Sequence, residues 1–483
     1  MSAQQIGFAL MVLGVFLLIG KVIRVKSGLV QRLFLPSSII AGFILLFLGP
    51  QVLGQVMSAL GNDTFTDAGL FSEEMLSVWS TLPGLLISIV FATLFLGQTL
   101  PTPRRAARLV GPQLSLGVAL GSGQYVVGLL LAVAVLVPVF STTPMVGALI
   151  EIGFEGGHGT AAGMRPVLEE LGFEDGADLA LGIATVGIVG GILLGIVMIN
   201  WAVRTGRTEI VRDDVRTSIE EQKGLFAKDE NYPAAMMTSR PASVEPLTLH
   251  MAIVALAILV GWLLLSGLQW VEQLWWADSF ELFEFVPLFP LAMLGGVVVQ
   301  LVAEKAGAGH LIDHQMMLRI QGLALDFLIV SALATLSIQA IGENLVPFLL
   351  LCAAGIALNV GMFLWLAPRI IPRYWFERGI GDFGQSMGVT ATGLILMRIV
   401  DPESDSPAFE AFGYKQLVFE PFFGGGLITA ASIPLIYQFG PWPLLVAMAA
   451  LFVVAVVGGY AYYGREVRQG RKDRPAEARS GVG

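Results

Sequence analysis

The sequence predicts an all-α polytopic membrane protein made of two inverted-topology five-helix repeats plus one extra C-terminal helix. Three observations carry that prediction. Of 483 residues, 55% are hydrophobic and 13% charged, with mean hydropathy +0.76, whereas soluble chains carry about 25% charged residues. Eleven apolar windows approach the roughly 20 residues that cross a bilayer. Small-residue motifs recur in the same order in the two halves of the chain.

In order, the windows are Ile6–Ile23, Leu33–Leu53, Leu82–Leu100, Leu114–Phe140, Leu179–Val203, Leu247–Leu268, Val286–Val302, Leu323–Ile341, Val346–Leu366, Leu417–Phe439 and Leu444–Tyr463. The first has no basic region before it and no small-residue cleavage pattern after it, so it reads as a retained helix. Two stretches, Met145–Met164 and Gly379–Val400, are too broken by glycine and polar residues to read as simple spans. The expected division is a first repeat over 1–203, a cytoplasmic linker with one short surface helix over 204–246, a second repeat over 247–439, the additional helix over 440–464 and a polar, disordered tail over 465–483.

Orientation follows from where Lys and Arg gather in short loops. Lys21, Arg24, Lys26 and Arg32 follow the first window, Arg104, Arg105 and Arg108 the third, and Arg369, Arg373 and Arg378 the ninth, with Arg465, Arg468, Arg471 and Lys472 in the tail. All fall on one side if the N-terminus is outside and the C-terminus cytoplasmic. The acidic loop Asp63–Glu74 and the Trp-rich loop Trp270–Trp276 then face out, while Asp401, Glu403, Asp405 and Glu410 fall inside. Between halves, Pro36 with Ala41-Gly42 echoes Pro290 with Gly295-Gly296. Thr160-Ala161-Ala162-Gly163 echoes Thr390-Ala391-Thr392-Gly393, and Gly190-Gly191 echoes Gly424-Gly425. An odd number of spans per half turns the second half upside down, which is an inverted repeat.

Other classes fit poorly. Net charge is −9 and Cys352 is the one cysteine, which argues against a nucleic-acid partner and excludes an internal disulfide. Gly157-x-Gly159-x-x-x-Gly163 grazes a dinucleotide-binding pattern without its strand context. Gly379-Ile380-Gly381-Asp382 is a GxGD string of the kind found in intramembrane aspartyl proteases, with Asp326 as the nominal partner. Asp382 follows the basic cluster, which reads as interfacial, so a non-enzymatic role is expected.

Irregular main chain persists at membrane depth only where it is buried or lines a wet cavity, so two glycine-rich breaks point to a transport site. Gly156, Gly157, Gly159, Gly384 and Gly388 can bring main-chain groups close to a ligand. Thr160, Ser386, Thr390 and Thr392 offer hydroxyls, each of which can instead bond its own backbone. Gln385 can both donate and accept, and His158 is a lone imidazole without metal-ligand spacing. Glu155 is an ionisable group at membrane depth and a functional candidate for that reason: a cation ligand, a partner for a substrate ammonium or a proton carrier, unless it merely pairs with Arg165. Glu420 raises the same question. These residue types leave sodium and proton coupling, and facilitated transport, open.

GFEGGHGTAAGM from Gly153 to Met164, FGQSMGVTATG from Phe383 to Gly393 and RLFLPSSIIAGFILL at the second window resemble the bacterial sodium/glutamate symporter family, in order over roughly Leu33 to Tyr437. The resemblance implies sodium-coupled import of glutamate or a related small amino acid or organic anion across the bacterial inner membrane. It also implies a re-entrant hairpin in each half (145–164 and 379–400), a homodimer, an elevator-like alternation of access, and Na+ as coupling ion with no other cofactor. The chain departs from the family pattern at Glu155, where a small serine is expected before GGHGT, and in its additional last helix and long linker.

Overall fold

The computed structural model describes every residue except 1, 34, 99–102, 211–222, 224, 227–232, 276–282, 403–404 and 473–483. Among the described residues the chain is helical, without strands. In chain order the principal helices are α1 Ala3–Lys26, α2 Ser37–Ala59, α3 Glu73–Thr93, α4 Val110–Phe140, α5 Pro144–Phe154, α6 Gly157–Gly163, α7 Gly176–Arg204, α8 Pro246–Trp275, α9 Leu288–Lys305, α10 His314–Ala334, α11 Leu345–Ile370, α12 Trp375–Val400, α13 Ala408–Phe419, α14 Leu427–Phe439 and α15 Pro441–Lys472. Eleven stretches among them are long and apolar enough to cross a membrane.

Local chemistry sets many of the starts. Ser2 and Gln5 form a reciprocal capping box on α1, Ser72 caps α3 ahead of Glu73 and Glu74, and Asp313 accepts from Met316 N at the start of α10.

Two compact units form, and each draws helices from both halves of the sequence. The first comprises Met1–Thr99, His158–Leu181 and Ile219–Asn344, and so holds α1 to α3 with α8 to α10. Its pairings are reciprocal: α1 lies on α2 and α8 on α9, α3 meets α10, and then α2 packs against α10 as α9 packs against α3. Small residues allow these approaches, since a Cβ on Gly42 would lie 2.6 Å from Leu333 Cβ and one on Gly261 2.5 Å from Ala292 N. Ala9, Leu13, Leu45, Trp79 and Val330 form one apolar core. Ala92, Leu96, Val254, Met317 and Ile320 form another. Trp79 Nε1 donates to Ala9 O at 3.1 Å. His250 Nε2 accepts from Asp313 N at 2.9 Å, which leaves Nδ1 protonated to donate to Pro246 O at 2.7 Å.

The second unit comprises Leu100–Gly157, Gly182–Ser218 and Leu345–Gly483. Here α4 packs on α5, α11, α12, α13 and α15. The helix α12 is not straight. Gly388 (φ −167°, ψ 53°) and Val389 (φ 64°, ψ 168°) leave helical geometry, and beyond them the chain folds back. A Cβ on Gly384 would lie 2.7 Å from Gly393 Cα, and one on Gly381 would meet the Met397 side chain. In an unbroken helix Gly381 and Met397 would stand about 24 Å apart.

Four expectations are corrected. The window Leu417–Phe439 is not one span: Pro421 and the positive-φ residues Gly424 and Gly425 separate α13 from α14. Its place among the spanning candidates is taken by Trp375–Val400. Trp270 and Trp275 stand exposed on the end of α8 rather than in a loop. The tail begins as helix, since α15 runs to Lys472; residues 473–483, the linker residues 211–222, 224 and 227–232, Trp276 and Glu403 lie outside the described residues.

Candidate functional site

Gly156 and Gly157, which begin the first glycine break, meet the second break within the second unit. Gly157 has φ +66°, a left-handed conformation natural to glycine, and a Cβ there would collide with Val389 Cγ1. Val389, a β-branched residue at φ 64°, is a backbone outlier of the kind that clusters at functional sites. The helix α7 seals the turn from behind: a Cβ on Gly388 would lie 2.8 Å from Ile188 Cα, and one on Gly187 would strike Met387 O. Gly156 N donates to Glu151 O at 2.9 Å, a looser step than the regular helical bond.

Buried polar side chains surround this junction. Glu155 caps the C-terminal end of Leu149–Phe154 and is 2% exposed, with only the Ser386 hydroxyl beside its carboxylate among the described residues. Ser386 Oγ is buried beside Glu155 with no other partner among the described residues, while its main-chain O accepts from Gln124 Nε2 at 2.7 Å and Asn359 Nδ2 at 2.8 Å. Those two amides tether one leg of the folded-back helix to α4 and α11. Gln385 Oε1 accepts from Lys415 Nζ at 2.6 Å, and Lys415 pairs with Asp382 Oδ1 at 3.3 Å with both side chains fully buried. Thr390 Oγ1 donates to Glu420 Oε1 at 2.9 Å, and Gln416 Nε2 donates to both. Glu151 is saturated by neutral donors: Tyr125 Oη at 2.6 Å, Gly424 N at 2.9 Å and Thr429 Oγ1 at 2.8 Å.

The structure thus brings together Glu155, Gly156, Gly157, Gly384, Gln385, Ser386, Gly388, Thr390 and Glu420 in one unit. Gly384 serves the close pass of the two α12 legs at Gly393. Thr392 Oγ1 donates to Gly388 O, the local bond four residues back. His158, Gly159 and Thr160 belong to the first unit, where a Cβ on Gly159 would come 3.2 Å from Ile87 Cδ1.

Three readings change. Arg165 is engaged by Asp178 at 2.7 Å and Glu169 at 3.5 Å, which disfavours the alternative that Glu155 merely pairs with it. Asp382 is fully buried in an ion pair rather than interfacial. Arg378, counted among the loop cations, is 6% exposed and hydrogen-bonded to Gln113 at 3.1 Å.

Sequence reasoning passed over Lys415, Glu151, Tyr125, Gln124, Asn359, Gln416 and Thr429. Glu151 carried the same signal as Glu155, an ionisable group in an apolar run. Lys415 stood just outside an apolar window and so read as its flank.

A helical multi-pass membrane protein with broken helices and buried carboxylates at the breaks has the features of a secondary transporter. The sodium/glutamate symporter family model matches residues 4–400, and the chain belongs to that family. No curated protein and no solved structure matches it. The matched range stops short of α13, so Lys415, Gln416, Glu420 and Thr429 lie beyond it.

Proposed function

We propose that this sodium-coupled transporter imports glutamate or a related small amino acid or organic anion, with the solute and Na+ bound at the junction of the two breaks in the second unit. The observation that carries the reading is the buried Glu155 carboxylate beside the Ser386 hydroxyl at that junction, with no further hydrogen-bond partner on either among the described residues. Unmet buried polar groups are costly and are retained where a ligand completes them. Gly156, Gly157 and Gly388 supply main chain free of side chains, Gln385 and Thr390 orient polar groups, and Glu155 takes the cation or the substrate's ammonium.

The helices α5 with α6 and the folded-back α12 are assigned as re-entrant hairpins of two inverted repeats, 1–203 and 247–439. The reciprocal pairing of α1 to α3 with α8 to α10 supports this assignment. Access alternates by an elevator-like movement in a homodimer in the bacterial inner membrane, N-terminus outside, an orientation supported by the one-sided Lys and Arg clusters.

Uptake by proteoliposomes under imposed sodium or proton gradients tests the proposal, with a panel of glutamate, dicarboxylates and neutral amino acids. Accumulation of an anionic amino acid driven by sodium alone is expected. A second reading, proton coupling, is favoured by the burial of Glu155 with no salt-bridge partner among the described residues. Accumulation driven by a proton gradient without sodium would select it.

A further inference from the structure

We propose that Lys415 is a built-in coupling cation: its ammonium fills one cation position in the carboxylate cluster, so the protein moves one sodium ion fewer per substrate than the same chain would without it. The inference rests on the sodium-coupled reading above and concerns its stoichiometry.

A buried ammonium is unfavourable unless it is closely paired, and the second unit is shaped to hold this one. Lys415 reaches from α13 over Gly117 of α4, where a Cβ would come within 2.5 Å of Lys415 Cε. Its Nζ lies 3.7 Å from the centroid of the Phe419 ring, a favourable seat for a cation. From there it pairs with Asp382 and donates to Gln385.

The charges around it are unequal. Lys415 acts electrostatically on Glu155, Asp382 and Glu420 alike. Arg378 also acts on Asp382. Glu151 is already satisfied by three neutral donors. The same lysine serves three carboxyls, and Glu155 has only the Ser386 hydroxyl beside it among the described residues. On the sodium-coupled reading free ions supply the remaining positive charge, and the tethered ammonium occupies a position one of them would otherwise take.

The test counts sodium in the purified full-length protein by equilibrium binding of radiolabelled sodium, and in proteoliposomes by how steeply substrate accumulation follows the sodium gradient. Lys415→Ala is expected to bind one more sodium per protomer than wild type, and to couple one more per substrate, with ethylammonium competing for the added site. Asp382→Asn is expected to lower the count by one, because the ammonium then serves a carboxyl that a free ion had neutralised. An unchanged count in a folded variant overturns the proposal. So does failure of both variants to fold at any sodium concentration, which would assign the pair to structure alone. A wild type that binds no sodium overturns the proposed function and this inference together; variants that merely leave the count unchanged overturn this inference and spare the function.

Discussion

Asp178 in the first unit is buried against Arg165 at 2.7 Å and the Ser337 amide at 3.1 Å, while Glu155 in the second is buried with the Ser386 hydroxyl alone beside its carboxylate among the described residues. The difference recurs at other ionisable groups of each unit, although Arg24 Nε and Gln51 Oε1 of the first are also buried without a partner among the described residues. In the first, Glu272 accepts from Phe283 N at 2.9 Å, His250 has both ring nitrogens engaged, and apolar clusters fill the spaces between helices. In the second, carboxyls gather around one lysine with acceptors left over. Saturated polar groups lock an arrangement; unsaturated ones await a ligand.

The comparison can be broken by single substitutions. Gly157→Val places a side chain where Val389 already lies, at a φ that β-branched residues resist. Uptake is expected to fall by more than about 1,000-fold, near 4 kcal/mol, while size-exclusion elution of the purified protein stays monodisperse. Normal uptake would remove the breaks from the site.

Arg165→Met strands Asp178 in the first unit and is expected to cost about 3 kcal/mol of stability, read by thermal unfolding, with sodium binding per protomer unchanged. A change in sodium binding would erase the contrast between the units. Glu155→Gln is expected to do the reverse, keeping the unfolding temperature while weakening apparent sodium affinity about tenfold, or 1.4 kcal/mol. Sodium titrations of uptake that superimpose on wild type would reduce Glu155 to a packing role. The smallest effect is expected of Trp79→Phe, which loses the bond to Ala9 O; about 1 kcal/mol of stability should go, with transport kinetics untouched.

Much of this molecule is readable along the chain. Ten of the eleven windows correspond to spanning candidates, because transfer into hydrocarbon depends on the composition of a segment and little on its neighbours. The break at Gly388 was visible because glycine and hydroxyl residues interrupt an apolar run. The window over Leu417–Phe439 misled for the same reason: Glu420, Pro421 and three glycines are diluted by apolar residues on either side, and an average over the window conceals the turn between α13 and α14.

The site was half legible. Glu155, Gln385 and Ser386 sit inside an identifiable motif, whereas Lys415, Gln124 and Asn359 carry no motif and gain meaning from what they touch.

What the sequence by itself determined is the membrane class, the spans and the two weak points in them, all local properties set by hydropathy and main-chain freedom. What only the tertiary structure decided is the pairing: Lys415 with Asp382, Glu151 with Tyr125 and Thr429, Arg165 with Asp178 rather than Glu155. The physical reason is that the strength of an ion pair or hydrogen bond falls off over a few ångströms and depends on desolvation. Partners are therefore chosen by how the helices pack, which no single segment encodes.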